Sequence, residues 1–335
     1  MNKFLTMTAL LTCAGSSAFA APMAVSVGGY YNGVLYSQDV DTQNARDLGI
    51  HNDAEIIFKG KGKSKSGIEF GFQVQLEAEG SGEGDHIDEN YIYAKGLFGK
   101  FELGAENNAA YKMQVSAPRP FGWKTFDNNF KTWSKVSNFD KPLLDGVDSD
   151  ALKLNYYSPK LSGFQIGYSV TPDASDKDGD SNLYVQESDG SGKGTASSLG
   201  LAYAGKFGGV KVKASYGVDT LDEDPGVASR EDTALGLSVS AGNVTFGGTS
   251  FTKEAGGQET DVLHYGVQYK LNPATNLGVV LHNQEAPNGD KTDITVLGGS
   301  TKLGAGTKLT YTYETVSDDA DGDSTFIGAG LLLKF

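Results

Sequence analysis

An uninterrupted two-residue alternation between Gly67 and Gly80 restricts the fold of this chain more than any other feature of its sequence. Apolar side chains occupy the even positions from Ile68 to Ala78, and glutamate, glutamine or glycine lies between them. Successive side chains of a strand point to opposite faces of a sheet, so the segment is predicted to be a strand with one apolar and one hydrated face. A helix would scatter the same residues around its circumference.

The same alternation returns along the chain and predicts sixteen strands. Clear apolar rows are Val25, Val27, Tyr31 and Leu35; Phe164, Ile166, Tyr168 and Val170; Val210, Val212, Ala214, Tyr216 and Val218; and Ile327, Ala329, Leu331, Leu333 and Phe335. Tight connections such as Phe207-Gly208-Gly209 and Ala241-Gly242-Asn243 alternate with longer polar ones. Short turns at one end, loops at the other and an even strand number are typical of outer-membrane barrels.

A soluble β-sandwich would show the same alternation, because it hides its apolar rows against a second sheet. Here the residues opposite those rows are often charged or very small, which favours a barrel with a hydrated interior. We therefore predict an all-β fold, a transmembrane antiparallel 16-stranded β-barrel. Aromatic residues near strand ends, among them Tyr30, Tyr31, Tyr91 and Tyr93, are predicted to form girdles at the membrane interfaces.

The first twenty residues have the pattern of a cleaved export signal. Lys3 is followed by an apolar stretch from Phe4 to Ala14 and by the cleavage-site pattern Ala18-Phe19-Ala20. We expect residues 1–20 to be a signal peptide and residues 21–335 to be the barrel. The single cysteine, Cys13, lies within the signal, so no disulfide is expected. No later run approaches the roughly 20 apolar residues of a membrane helix.

The charge pattern and the absence of known catalytic motifs argue against several classes of function. A formal net charge of −14 makes nucleic acid an unsuitable partner, and the four histidines form no zinc motif. No nucleophile-elbow motif is present, so no enzymatic activity and no cofactor are predicted. Two acidic loop tips are candidates for a structural Ca²⁺ ion, although their spacing differs from an EF-hand and solvated loop tips are the favoured interpretation. Their acids are Asp176, Asp178 and Asp180, and Asp319, Asp321 and Asp323.

A long insertion, residues 107–150, interrupts the regular pattern at the third long connection. It contains both tryptophans and the helix-breaking Pro118 and Pro120. A loop of this length in a compact domain is usually functional. Folded inward, the insertion would narrow a barrel that is otherwise wide; folded outward, it would form a surface lid or a subunit contact.

Two motifs resemble those of the general diffusion porins of Gram-negative bacteria, the sixteen-stranded trimeric type. Residues 95–104, KGLFGKFELG, are similar to the family's strand-turn-strand signature, and the terminal Leu331-Leu332-Leu333-Lys334-Phe335 resembles its closing strand. The resemblance covers residues 21–335. It implies a homotrimer in outer-membrane lipid and lipopolysaccharide, in which the insertion folds into each barrel as a constriction loop, with loop acids facing basic side chains on the wall.

Carried onto this sequence, the resemblance suggests residues for the constriction. The candidate loop acids are Asp127, Asp140, Asp145 and Asp148, and the candidate wall bases are Lys59, Lys153, Lys211, Lys213 and Lys308. Opposed charges across a narrow neck would orient dipolar solutes and hinder apolar ones. The three arginines, Arg46, Arg119 and Arg230, show no clear position on a barrel wall, which departs from the arginine-rich family pattern.

Three functions are compatible with these patterns. The first is a channel for passive diffusion of small hydrophilic solutes and ions, for which the acidic balance suggests a cation preference. The second is a solute-selective channel with a binding site lined by the loop aromatics Trp123, Phe126, Phe130 and Trp133. The third is an outer-membrane enzyme or adhesin, which no catalytic motif favours.

Overall fold

The fold is described from a computed structural model that covers residues 23–41, 47–78, 87–121, 139–174, 194–222 and 228–335. The predicted signal peptide lies outside these residues. Within them the chain forms sixteen strands and one short helix. The elements are β1 (Ala24–Val40), β2 (Leu48–Lys63), β3 (Glu69–Glu77), β4 (Ile87–Gly96), β5 (Gly99–Ala105), α1 (Ala109–Met113), β6 (Leu152–Tyr157), β7 (Phe164–Thr171), β8 (Ala196–Phe207), β9 (Val210–Leu221), β10 (Arg230–Ala241), β11 (Val244–Ala255), β12 (Gln258–Lys270), β13 (Thr275–Glu285), β14 (Lys291–Gly304), β15 (Thr307–Asp318) and β16 (Ser324–Lys334).

The strands form one closed antiparallel barrel in which each strand pairs with its neighbours in sequence. Strand β1 closes the barrel by pairing with β16 in a register that runs from Tyr30 opposite Lys334 to Val40 opposite Ser324. Closure pairs the edge strands, which lipid requires because it offers no hydrogen-bonding partners. The predicted all-β barrel of sixteen strands is therefore confirmed. No helix among the described residues is long and apolar enough to cross a membrane.

Strand alternation divides the sheet into two faces. The apolar face carries exposed side chains such as Val27, Leu199 and Ile327, whereas the polar face carries buried residues such as Asn155 and Asp219. Tyr31 belongs to the apolar face. The predicted girdle is wrong for Tyr30, Tyr91 and Tyr93, because register places them beside the polar-face residues Glu55, Gln73 and Glu102, respectively.

The connections differ between the two ends of the barrel. At one, the turn end, seven connections have between two and six residues; the other, the loop end, carries the insertion and most of the longer connections. One loop-end connection departs from the predicted pattern, since Gly256 and Gly257 alone join β11 to β12. Their φ angles of 58° and 75° suit a two-residue hairpin of type I′.

Candidate functional site

The insertion begins with a buried asparagine that ties several segments together. Asn108 Nδ2 lies 2.9 Å from the Leu144 carbonyl oxygen, 3.0 Å from Asp148 Oδ1 and 2.9 Å from Asp219 Oδ2. Its Oδ1 accepts a hydrogen bond from the Tyr111 backbone N–H at 2.9 Å, which makes Asn108 the N-cap of α1. One amide therefore joins the start of the insertion, its end and the polar face of β9.

Small residues on the polar face allow α1 to approach the sheet. The α1 N–H groups of Ala109 and Ala110 donate to Ser169 Oγ at 2.7 Å and Ser198 Oγ at 3.4 Å. Four glycines on β7 to β10 face the insertion, and a Cβ added at any of them would press against α1, Leu144 or the Val115 carbonyl. They are Gly167, Gly200, Gly217 and Gly236. This row of tiny residues was visible in the sequence as a small-residue face, but the sequence did not identify the segment packed against it.

Farther along, the insertion continues around the polar face. The Val115 N–H donates to Ser215 Oγ at 2.8 Å, and its carbonyl accepts from Thr249 Oγ1 at 2.9 Å. Ser300 Oγ donates to the Pro120 carbonyl at 2.8 Å. Phe121, 1% exposed, packs in an apolar cluster whose other members are Ala117, Phe139, Val280, Ile294, Val296 and Val316. The described parts of the insertion therefore contact the polar face from β5, through Lys112, to β15, through Phe121.

Ion pairs secure both ends of the insertion. Lys112 Nζ lies 2.9 Å from Glu102 Oε2 and 3.1 Å from Glu106 Oε1. Burial raises the pKa of Glu106, and the nearby Lys112 only partly offsets this shift. At the other end Asp140 pairs with Lys253 of β11 at 2.7 Å, and its N–H donates to Gln284 Oε1 at 2.8 Å.

The predicted loop acids have different surroundings. Asp140 pairs with the wall as described, whereas Asp145 pairs with Lys141 of the insertion at 2.8 Å. Asp148 is buried and accepts hydrogen bonds from Asn108 and from Thr171 Oγ1, the latter at 2.6 Å. Asp127 and the predicted loop aromatics Trp123, Phe126, Phe130 and Trp133 lie outside the described residues.

The five lysines predicted as wall bases are not brought together. Lys153 is fully buried, and its Nζ donates to the Ser149 and Ala151 carbonyls at 2.7 Å each and to the Glu106 carbonyl. Lys59, Lys211, Lys213 and Lys308 lie near the turn end of their strands.

Replacing Lys153 by methionine should destabilise the barrel. Three carbonyl groups would lose their donor, and Asp148, 3.6 Å from Nζ, would lose its ion-pair partner. Removing one partner of a buried pair costs about 3–5 kcal/mol, so we expect a clearly lower melting temperature in detergent. Lys211→Met, an exposed change on the same face, should shift stability by about 0.5 kcal/mol or less. Equal melting temperatures for the two variants would contradict the structural role of Lys153.

The sequence interpretation missed an acidic stretch of wall. Asp53, Glu55 and Glu77 lie side by side on the polar face of β2 and β3, and Glu89 follows on β4. It also missed Arg230, which lies on the polar face of β10. This guanidinium makes a two-point contact with Asp232, at 2.8 and 2.7 Å, and donates to the Gly146 carbonyl at 2.9 Å. Parity opposite the apolar rows would have identified these side chains.

Lysines gather at the turn end of the polar face. Three pairs lie directly opposite each other across neighbouring strands: Lys95 and Lys100, Lys206 and Lys211, and Lys302 and Lys308. Like charges in such positions destabilise a sheet. We call these six residues the turn-end lysines. The polar face therefore changes from basic at the turn end to acidic toward the loop end.

Two loop-tip acids within the described residues accept hydrogen bonds from different partners. Asp319 Oδ2 accepts from the Lys291 N–H at 2.9 Å, and Asp323 Oδ1 accepts from Ser317 Oγ at 2.8 Å. Asp321 belongs to the same loop, whereas Asp176, Asp178 and Asp180 lie outside the described residues. Within the described chain, the residues close enough to share a metal ion are instead Asp53, Glu55 and Glu77.

Comparisons with known proteins agree with this architecture. A family model described as Gram-negative porin matches residues 6–321. The fold is similar to an anion-selective porin from Comamonas acidovorans, with a TM-score of 0.67 at 15% identity over 93% of this chain and 100% of that chain. It is also similar to the trimer form of OmpT, an outer membrane protein of Vibrio cholerae, with a TM-score of 0.66 at 14% identity over 94% of this chain and 100% of that chain.

The curated relatives match a smaller part of the chain. An uncharacterized protein of Rickettsia prowazekii is 28% identical over 117 residues, which is 28% of this chain and 26% of that protein. A protein of Rickettsia typhi matches over the same shares at 27% identity. The chain thus covers about a quarter of the length of these relatives.

Proposed function

The chain belongs to the Gram-negative porin family, and we propose that it is an outer-membrane channel for passive diffusion of small hydrophilic solutes and ions, with a preference for cations. The observation that carries this proposal is the closed sixteen-stranded barrel, exposed and apolar on one face and polar on the other. A barrel of that strand number leaves room for an aqueous passage. The polar face would line this passage.

The insertion is proposed to fold inside the barrel as its constriction loop. The contacts of Asn108, Val115 and Pro120 with polar-face residues support this arrangement, as does the cluster around Phe121. A segment that contacts the polar face on strands around more than half of a closed barrel has little room except inside it. The constriction would lie between the insertion and the acidic wall of β2 to β4.

We further propose a homotrimer, in keeping with the trimer form of the Vibrio cholerae protein. Its apolar face would contact neighbouring subunits and outer-membrane lipid, with lipopolysaccharide around the loop end. Residues 1–20 are proposed to be the export signal and residues 21–335 the barrel.

The cation preference rests on Asp53, Glu55 and Glu77. Selectivity depends on charges at the narrow part of a channel, and these three carboxylates share the wall that faces the proposed constriction. The turn-end lysines lie at a mouth, where the passage would be wider and their field more strongly screened. The Comamonas acidovorans porin is anion-selective, but at 15% identity its selectivity cannot be transferred to this chain.

A planar-bilayer recording tests both the channel and its selectivity. Purified protein should insert with stepwise conductance in groups of three, and a KCl gradient should give a reversal potential of cation-preferring sign. Glu55→Gln combined with Glu77→Gln should move that potential toward zero, because two carboxylates leave the wall. Asp293→Asn, on the apolar face, is the control. Protein that inserts without conducting would refute the channel, and an anion-preferring potential would refute the cation preference.

A solute-selective channel is the second candidate, and a cavity of about 570 Å³ favours it. Phe139 and Asp140 of the insertion line this cavity together with Lys253, Thr260 and Gln284 of the wall. An aromatic ring, an ion pair and amide groups could contact a sugar or an amino acid. Block of the ion current by one such solute, but not by others of equal size, would support this function.

A further inference from the structure

We propose that Asp53, Glu55 and Glu77, here called the acidic cluster, bind a divalent cation, with Ca²⁺ preferred. One carboxylate oxygen from each of the three residues lies within 4.8 Å of the other two, and Asp53 and Glu55 are each only 4% exposed. Glu55 and Glu77 are direct partners across β2 and β3. Like charges in such a position repel, and a shared cation would reverse the sign of that interaction.

Asn32 provides an independent observation that points to a ligand. It is 2% exposed, and its Oδ1 atom accepts no hydrogen bond in the described part of the chain. It is the direct partner of Asp53 across β1 and β2. Direct partners share a face, with Cβ atoms about 4.5–5.5 Å apart, so the Asn32 side chain borders the acidic cluster. A buried amide oxygen without a donor is costly, whereas amide oxygens are good ligands for Ca²⁺.

Tyr30 completes a set of five oxygen-bearing side chains. Its hydroxyl oxygen lies 2.9 Å from Asp53 Oδ1 and 2.7 Å from Glu55 Oε1. A phenol has one proton, so it can donate fully to only one of the two carboxylates at a time. The Tyr30 hydroxyl therefore keeps these two carboxylates close together at one point of the wall.

The chemistry and geometry of the ligands select among the metals. Ca²⁺ accepts irregular sets of six to eight oxygen ligands at about 2.4 Å, which suits carboxylate, amide and phenol oxygens held on neighbouring strands. Mg²⁺ binds at about 2.1 Å in strict octahedra and usually keeps several of its waters, so an irregular set of side chains suits it less well. Zn²⁺ generally prefers nitrogen and sulfur ligands. Water would fill the remaining positions around Ca²⁺.

Ca²⁺ binding would reduce the negative charge of the wall to which we attribute the cation preference. A Ca²⁺ ion on three carboxylates leaves one net negative charge, so the channel should discriminate less between K⁺ and Cl⁻ when Ca²⁺ is present. This consequence rests on the proposed channel. The binding site itself does not, because it can be measured in detergent without any current.

The test is calorimetric titration of EDTA-stripped, detergent-solubilised protein with CaCl₂. We expect one site per chain that is tighter than any loop-surface binding, and at least tenfold weaker binding of MgCl₂. Glu55→Gln, Glu77→Gln and Asn32→Leu should each weaken Ca²⁺ binding at least tenfold. Glu314→Gln, a buried polar-face carboxylate outside the cluster, is the matched control and should bind as the unmodified protein does. Heat-dependent mobility on gels checks that each variant is folded.

Terbium luminescence gives a second readout. Excitation of Tyr30 should sensitise a bound Tb³⁺ ion, CaCl₂ should displace it, and Tyr30→Phe should reduce the part of the signal that Ca²⁺ competes for. The proposal fails if the unmodified protein shows no such Ca²⁺ site. It also fails if Glu314→Gln lowers the affinity as much as Glu77→Gln does, or if Mg²⁺ binds as tightly as Ca²⁺.

Discussion

In a planar bilayer at about 0.1 M KCl, the purified protein should pass roughly twofold more current when the loop side is positive than when it is negative. Acids toward the loop end and the turn-end lysines give the polar face opposite charges along its length. With the loop side positive, cations enter past the acids and anions enter past the lysines, so both ions accumulate where the two zones meet. With reversed voltage both are depleted there.

The current asymmetry should depend on the KCl concentration and on four of the turn-end lysines. At about 1 M KCl the Debye length falls to about 3 Å, and the two current branches should become equal. Replacing Lys206, Lys211, Lys302 and Lys308 together by glutamine should remove most of the asymmetry at low salt. Lys160→Gln combined with Lys291→Gln, which removes one lysine from each end, is the control. An asymmetry that persists in the fourfold variant would refute the assignment to these lysines.

Asn108→Ala should both destabilise the protein and widen the open channel. The Leu144 carbonyl, Asp148 and Asp219 would lose the two N–H protons of Asn108 that they share, and α1 would lose its N-cap. Asp219 is fully buried, and in the described part of the chain its Oδ1 has no hydrogen-bond partner. Asp148 would keep Thr171 as a donor, but the loss of a donor to Asp219 together with the lost cap should cost about 2–4 kcal/mol.

The measurements for Asn108→Ala are a thermal melt in detergent and single-channel recording. If the insertion narrows the passage, its release should raise the conductance and add current fluctuations, because the loosened segment would move on the recording timescale. Asn283→Ala removes an asparagine of the apolar face that bonds only to Asp293 among the described side chains, and it should leave both properties unchanged. A lower melting temperature with unaltered conductance would show that the insertion does not limit the current.

The sequence determined the fold class, because strand alternation is a local property. A side chain's face follows from its parity, so rows such as Ile68 to Leu76 specify strands without knowledge of their partners. Tight turns such as Phe207-Gly208-Gly209 then pair consecutive strands. Because the number of strands is even, the first and last strands run in opposite directions and can close an antiparallel up-and-down barrel. The sixteen strands and most of their connections could be predicted for this reason.

The same local reasoning was incomplete where charge and burial depend on distant neighbours. Parity placed Lys153 on the polar face correctly, but only the tertiary structure shows that three carbonyl groups enclose its ammonium group. Parity also applied to Asp53, Glu55 and Glu77, yet their proximity depends on the register between β2 and β3. A shift of one residue in that register would have carried one strand's carboxylates to the other face.

The path of the insertion was decided by tertiary structure alone. The contacts of its N-terminal part join residues far apart in sequence, such as Asn108 with Asp219 and Pro120 with Ser300. Such pairings depend on the shape of the closed barrel, on the room left by glycines such as Gly217, and on buried donors that must find acceptors. Alternation along one strand carries no information about these contacts, because they join the insertion to strands that surround it only in the closed barrel.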